Sequence, residues 1–225
     1  MPAGCEVSPT MLKFQNTRTH PVWVGVLSGK TSVVGDGGFK LLPGAIAQFI
    51  VPPGWSGHIW ARTGCTFDGS GNGNCVTGDC GSGLKCNAGG DPPVTIAEFT
   101  IADGLNSDKD IYRVSLVKGY NVGIGIKPIG GTGDCQYAGC ISDLNKNCVP
   151  VLKVVDSSGM VVACKSECDA FNVPRFCCTG DHGTCAPTPF SMMYKAACPS
   201  AYYSYADASS TFTCSRSDFL VTFGP

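Results

Sequence analysis

The sequence predicts an all-β fold, a mostly antiparallel sandwich, and three observations carry that expectation. Short segments alternate at period two between apolar and other residues, the pattern of half-buried strands. Glycine and proline number 30 and 15 among 225 residues and punctuate the chain where turns are needed. No long stretch of helical period separates the alternating segments, which argues against strand–helix–strand units.

The strands are taken in order. PVWVGVL (21–27) places Val22, Val24 and Val26 on one side. AIAQFIV (45–51), HIWAR (58–62), VTIAEFTI (94–101), IYRVSLV (111–117) and YNVGIGI (120–126) repeat the logic, each bounded by Gly, Pro, Asn or Asp. Two interruptions follow a different rule. Residues 65–86 hold four cysteines amid Gly, Ser, Asn and Asp, too few apolar groups for a core, so crosslinks must hold them. Residues 135–198 hold nine cysteines and the two predicted helices. ACKSECDAF (163–171) would set Cys164 and Cys168 on one helical face. TPFSMMYKAACP (188–199) offers Thr188 as N-cap and Pro189 at the first helical position. The expected organisation is therefore a sandwich from 1–64, 87–134 and 199–225, a small disulfide loop region at 65–86, and a large disulfide-rich region at 135–198.

Composition narrows the function. Charged residues make up 15% of the chain and apolar ones 43%, enough to build a core and too little charge for disorder. A net charge of −1 gives no reason to expect nucleic acid or an anionic membrane as partner. No apolar run approaches the ~18 residues of a transmembrane segment. Fifteen cysteines require either metal or an oxidising compartment. Cys75, Cys80 and Cys86 are separated by four and five residues, and His20, His58 and His182 are scattered, so a zinc site is not expected. Disulfides are, which places the protein in the secretory pathway or outside the cell. MPAGCEVSPT lacks the apolar core of a signal peptide, so a signal is expected to be absent from this chain. No cofactor signature, phosphate loop or serine-hydrolase motif appears.

GNGNCVTGDCGSGLKC (71–86) resembles the signature of the thaumatin-like, pathogenesis-related family 5 proteins. GGFKLLPG (37–44), PPGWSGHIWARTGC (52–65), AEFTIADG (97–104), CCTG (177–180) and ACPSAYYSYADASSTFTC (197–214) agree with it, so the resemblance spans nearly the whole chain. It implies a thaumatin-like β-sandwich with two disulfide-rich loop regions, one containing short helices. It also implies the pairings Cys65–Cys75, Cys80–Cys86, Cys135–Cys214, Cys140–Cys198, Cys148–Cys164, Cys168–Cys177 and Cys178–Cys185. Relatives usually add a bridge from the first strand to the C-terminus, where this sequence has Arg18 and Gly224. A bridge closing some 200 residues would contribute ~5 kcal/mol, so lower stability is expected unless packing compensates. Cys5 is left unpaired, either as a terminal thiol or as half of an intermolecular bridge; otherwise a monomer is expected.

The resemblance further implies a secreted plant-defence protein of antifungal type, binding cell-wall β-1,3-glucan or a protein target in a cleft. In relatives that cleft carries one arginine, one glutamate and three aspartates. Position by position, the arginine falls on Arg62, the glutamate on Glu98 and the last aspartate on Asp207, while the other two aspartates fall on Arg113 and Lys118. An acidic site would thereby become slightly positive. Positions 113 and 118 face opposite sides of a regular strand, however, and only a bulge or the approach to Gly119 would bring both to one cleft. Asp103, Asp108 or Asp110 would otherwise pair with them.

Some relatives cleave β-1,3-glucan weakly, which needs two flanking carboxylates. Glu98 is the candidate catalytic residue, but its usual partner position holds Lys118, so activity would need Asp207, Asp103 or Asp110 as substitute. Binding of a wall polysaccharide is therefore the expected function. A weak endo-β-1,3-glucanase and a protein-interaction or enzyme-inhibitor module are the alternatives. Tyr112, Tyr120, Tyr202, Tyr203 and Phe190 are candidate sugar-stacking rings.

Overall fold

The computed structural model describes residues 8–29, 33–81, 83–140, 142–179, 186–204 and 207–224. The first strands are β1 (Thr10–Asn16), β2 (Val22–Ser28), β3 (Gly38–Leu41), β4 (Ile46–Val51) and β5 (Ser56–Arg62). A short ribbon follows, β6 (Thr66–Phe67) with β7 (Gly73–Asn74), then β8 (Ile96–Thr100), β9 (Asp110–Ser115), β10 (Ile124–Ile129) and β11 (Ala138–Gly139). The large cysteine-rich stretch contains β12 (Lys153–Val155), β13 (Val161–Cys164), α1 (Glu167–Phe171), α2 (Pro174–Cys177) and α3 (Pro189–Ala197). Strands β14 (Phe212–Cys214) and β15 (Asp218–Phe223) close the chain.

Two sheets face each other, ordered β11-β10-β15-β1-β4 and β14-β9-β8-β5-β2-β3. Their inward residues are the apolar members of each period-two pattern. Leu12, Phe14, Val22, Val24, Ile59, Ala97, Val114, Ile126, Phe219 and Val221 are all completely buried between the sheets. The pairing is antiparallel except where β1 lies parallel to β15, Leu12 opposite Phe219 and Phe14 opposite Val221. That pairing brings the first and last strands side by side at the centre of one sheet, a contact that local alternation cannot reveal.

Six disulfides form among the described residues: Cys65–Cys75, Cys80–Cys86, Cys135–Cys214, Cys140–Cys198, Cys148–Cys164 and Cys168–Cys177. Cys178 is also disulfide-bonded; its expected partner Cys185, like Cys5, lies outside the described residues. Two satellite cores depend on these crosslinks. Cys140, Cys148, Cys164 and Cys198 pack with Leu116, Leu152 and Tyr194 beneath the helices, and Cys80 and Cys86 pack against Trp60 on the outer side of β5.

At the ends of β1 and β15, ladder and side-chain contacts occupy the place of a crosslink. Thr17 N donates to Phe223 O at 3.1 Å, and Thr17 Oγ1 to Gly224 O at 2.6 Å. The Arg18 methylenes lie so close over Gly224 that a Cβ there would run into Arg18 Cγ. Arg18 and Gly224 thus fit as a pair. The compensation is incomplete, because Arg18 Nε is buried without a hydrogen-bond partner.

One expected helix is corrected. Cys164 does not share a helical face with Cys168; it ends β13, and its backbone exchanges two hydrogen bonds of 2.8 Å with Tyr120. The helix begins only after Ser166, whose Oγ accepts from Asp169 N at 3.1 Å. By contrast α3 starts as its sequence predicts, with Thr188 and Ser191 forming a reciprocal cap around Pro189.

Candidate functional site

Alternation along β5, β8 and β9 sends one set of side chains into the core and the other outward. The outward row is in register across three strands: His58 stands opposite Glu98, and Glu98 opposite Arg113. These three residues form a saddle between two hollows of about 480 and 350 Å³, which together make one elongated groove. The larger hollow is edged by hydroxyls from Ser28, Ser56, Thr100 and Thr211. The smaller is walled by Trp60, Pro92, Ile96 and Tyr202, with Lys118 on its rim.

Arg113 and Lys118 reach the same hollow because the strand ends before it can separate them. After Ser115 the chain turns, Gly119 N donating to Leu116 O at 2.9 Å. Gly119 holds φ at +82°, and a Cβ there would lie 2.6 Å from Cys164 O, so both conformation and space require glycine. Lys118 O accepts from Val94 N at 2.8 Å, which fixes the backbone from which its exposed side chain projects.

Glu98 is clamped by Arg113. Nε and Nη2 of the guanidinium approach the same oxygen, Oε2, at 2.7 and 2.6 Å, and the guanidinium carbon lies 4.2 Å from the centre of the Tyr202 ring. Asp103, Asp108 and Asp110 do not supply this counter-charge. Asp103 is held well below the ordinary carboxylate range by the Asn106 side chain and by the amides of Asn106, Leu105 and Ser107, all within its own turn. Asp110 is buried, which pushes its carboxyl up, and it accepts from Ala102 N at 2.8 Å.

Two expected cleft residues do not line the groove. Arg62 is 0% exposed and lies beneath the small disulfide loop. It donates to the carbonyls of Leu84 (2.7 Å), Gly83 (2.9 Å), Val24 (3.1 Å) and Trp23 (3.2 Å). Burial lowers its pKa to about 10, against the favourable charge of Asp79. It ties loop to sheet, so the groove position expected at 62 is occupied instead by His58, four residues earlier on the same strand. Asp207 is also buried, its Oδ2 2.9 Å from Lys195 Nζ and its Oδ1 capping the backbone at Ser209.

Of the candidate rings, Tyr202 lines the smaller hollow. Tyr112 and Tyr120 are core residues, their hydroxyls donating to Gln136 O (2.5 Å) and Ser142 O (3.3 Å). Phe190 packs with Phe171 and Phe176, and Tyr203 lies by Lys195. His58 and Trp60 are groove residues that sequence reasoning did not single out. Their signal was present in HIWAR, whose first and third residues share the outward face with Glu98's row.

The Thaumatin family model matches residues 16–225. The chain belongs to the thaumatin family. As a thaumatin-family protein it is 55% identical to pathogenesis-related protein 5 of Arabidopsis thaliana, over 99% of this chain and 93% of that one. It is 42% identical to a glucan endo-1,3-beta-glucosidase of Prunus avium, over 95% of this chain and 90% of the other. Among solved structures it resembles the thaumatin-like xylanase inhibitor TLXI, with a TM-score of 0.52, 25% identity, and coverage of 95% and 99% of the two chains. No helix among the described residues of this thaumatin-family chain is long and apolar enough to cross a membrane.

Proposed function

We propose that this protein is a secreted, defence-type member of the thaumatin family that holds cell-wall polysaccharide in the groove of the six-stranded sheet without cleaving it. The crosslinks support export, since a reducing compartment would leave the six disulfides open. One observation carries the non-hydrolytic reading: Glu98 is the sole carboxylate among the described residues lining either hollow, and Arg113 holds it. Glycoside cleavage needs a second carboxylate about 5 to 9.5 Å away. Lys118 occupies the rim instead, and Asp207 is engaged by Lys195. Sugar binding asks for less, a groove with polar edges and some apolar wall, and the hydroxyl row together with Pro92, Ile96 and Tyr202 supplies those.

Sedimentation with insoluble wall polysaccharide, β-1,3-glucan among the fractions, tests the reading. The protein should pellet with at least one fraction, while reducing-sugar release from soluble glucan stays at background in both the natural protein and Glu98→Gln. Glucan cleavage that disappears in Glu98→Gln would restore the hydrolase. The likeness to a xylanase inhibitor favours a second reading, an enzyme-inhibiting module. Inhibition of a polysaccharide hydrolase, with no retention on any wall fraction, would establish it in place of the first.

A further inference from the structure

We infer that the groove selects acidic polysaccharide, a chain bearing uronate carboxylates, over neutral glucan; this rests on the polysaccharide-binding reading above. Among the described residues, the two hollows are lined by one carboxylate, Glu98, and two basic side chains, Arg113 and Lys118, a formal excess of one positive charge. The carboxylate is already engaged through Oε2, whereas neither Lys118 Nζ nor Arg113 Nη1 has a hydrogen-bond partner among the described residues. An unpaired ammonium on a groove rim is stable only while water reaches it. A neutral chain laid across it would displace that water and return no counter-charge. A uronate would return both a charge and two acceptor oxygens.

The layout supports the same ligand. Arg113 borders both hollows, but Lys118 borders only the smaller one, beside Trp60 and Tyr202, and the larger adds hydroxyls. One sugar ring seated in the smaller hollow would present an equatorial carboxylate to the rim. Its neighbours would extend over the saddle toward Ser56, Thr100 and Thr211, where ring hydroxyls find partners. The rim itself is fixed, because Lys118 O is tied to Val94 N and Gly119 admits no side chain. The backbone from which the charge projects is therefore fixed, while the exposed Lys118 side chain is free to turn toward a carboxylate.

Isothermal titration calorimetry on the full chain separates the possibilities. The ligands are a short oligogalacturonide, the same oligomer methyl-esterified, and a neutral β-1,3-gluco-oligosaccharide of equal length. The free acid should bind about tenfold more tightly than its ester, and the difference should shrink as salt is raised. Lys118→Glu should abolish the preference while leaving the unfolding temperature nearly unchanged, since the exposed Lys118 side chain makes no hydrogen bond or ion pair among the described residues. Equal affinity for acid and ester, or a preference that survives Lys118→Glu, overturns the inference. Tighter binding of the neutral glucan overturns it too, yet leaves the polysaccharide reading standing. Failure of all three ligands overturns both.

Discussion

Arg62 and Arg113 sit on the same outward face of the same sheet and meet opposite surroundings. Arg62, at the end of β5, is covered by the loop that Cys80–Cys86 closes and spends its donors on four main-chain carbonyls. Arg113, two strands away, has a side chain 32% exposed and faces a carboxylate, an aromatic ring and solvent. A guanidinium suits both settings for different reasons. Its fixed fork can satisfy several carbonyls that would otherwise be orphaned on burial, and its weak hydration lets it stack on a ring at an open site. What distinguishes structural from binding arginine is therefore the cover over it, which comes from elsewhere in the chain.

The sharpest way to break this contrast is at Arg62. Arg62→Ala should lower unfolding stability by about 4 kcal/mol, because carbonyls of both sheet and loop lose their donor in a dry interior. Arg62→Lys keeps the charge but not the fork, and should still cost about 2 kcal/mol. Urea unfolding measures both. If Arg62→Ala unfolds like the natural protein and instead alters sugar binding, Arg62 belongs to the groove and the comparison collapses.

That position also marks the limit of what the sequence could reveal. Period two in PVWVGVL, AEFT and IYRVS was enough to assign strands and their buried faces, because one face of each lies against the other sheet. Residues 65–86 were recognisable by their poverty in apolar residues, and residues 135–198 by their nine cysteines. The cover over a strand was not legible: His58, Trp60 and Arg62 alternate identically, yet only the last two are buried, beneath the segments that carry Gly78 and Gly83. The turn after Ser115, which brings Lys118 beside Arg113 although strand parity would part them, was legible only as one of two readings, through the approach to Gly119. Cys164 looked helical by its spacing from Cys168 and is a strand end, because its backbone is claimed by Tyr120 from another segment. Each miss involves a partner distant in sequence.

Lys195 and Asp207 provide an intermediate case, with side chains 27% and 5% exposed. Burial raises the Asp207 carboxyl, but hydrogen bonds from Ser209 and Lys195, together with the ammonium charge, outweigh it and hold the pKa below its ordinary value. A depressed folded-state pKa means that the native state gives up this proton more readily than the unfolded chain. The contribution is complete above about pH 4 and is lost as pH falls through the folded value. Asp207→Asn should cost about 2 kcal/mol at neutral pH, and it should flatten the acid limb of stability against pH. Denaturation curves collected from pH 7 down to about pH 2 would show both effects. An unchanged acid limb would mean that Asp207 is not the group that senses acid.

A small effect on stability is expected at Glu98. Its pair with Arg113 is partly exposed, with side chains 22% and 32% accessible, so Glu98→Gln should change stability by less than about 1 kcal/mol. The amide keeps the shape and can still accept from Nε, but the groove gains one unit of positive charge. Oligogalacturonide binding should tighten, by about threefold for a change of one charge near the surface, while neutral glucan binding stays level. Removing the charge at Glu98 thus tests the contrast from the opposite side to Arg62→Ala, through binding with little effect on folding. A loss of stability comparable to that of Arg62→Ala would show instead that the Glu98–Arg113 pair braces β8 against β9, and the functional weight would pass to Lys118 alone.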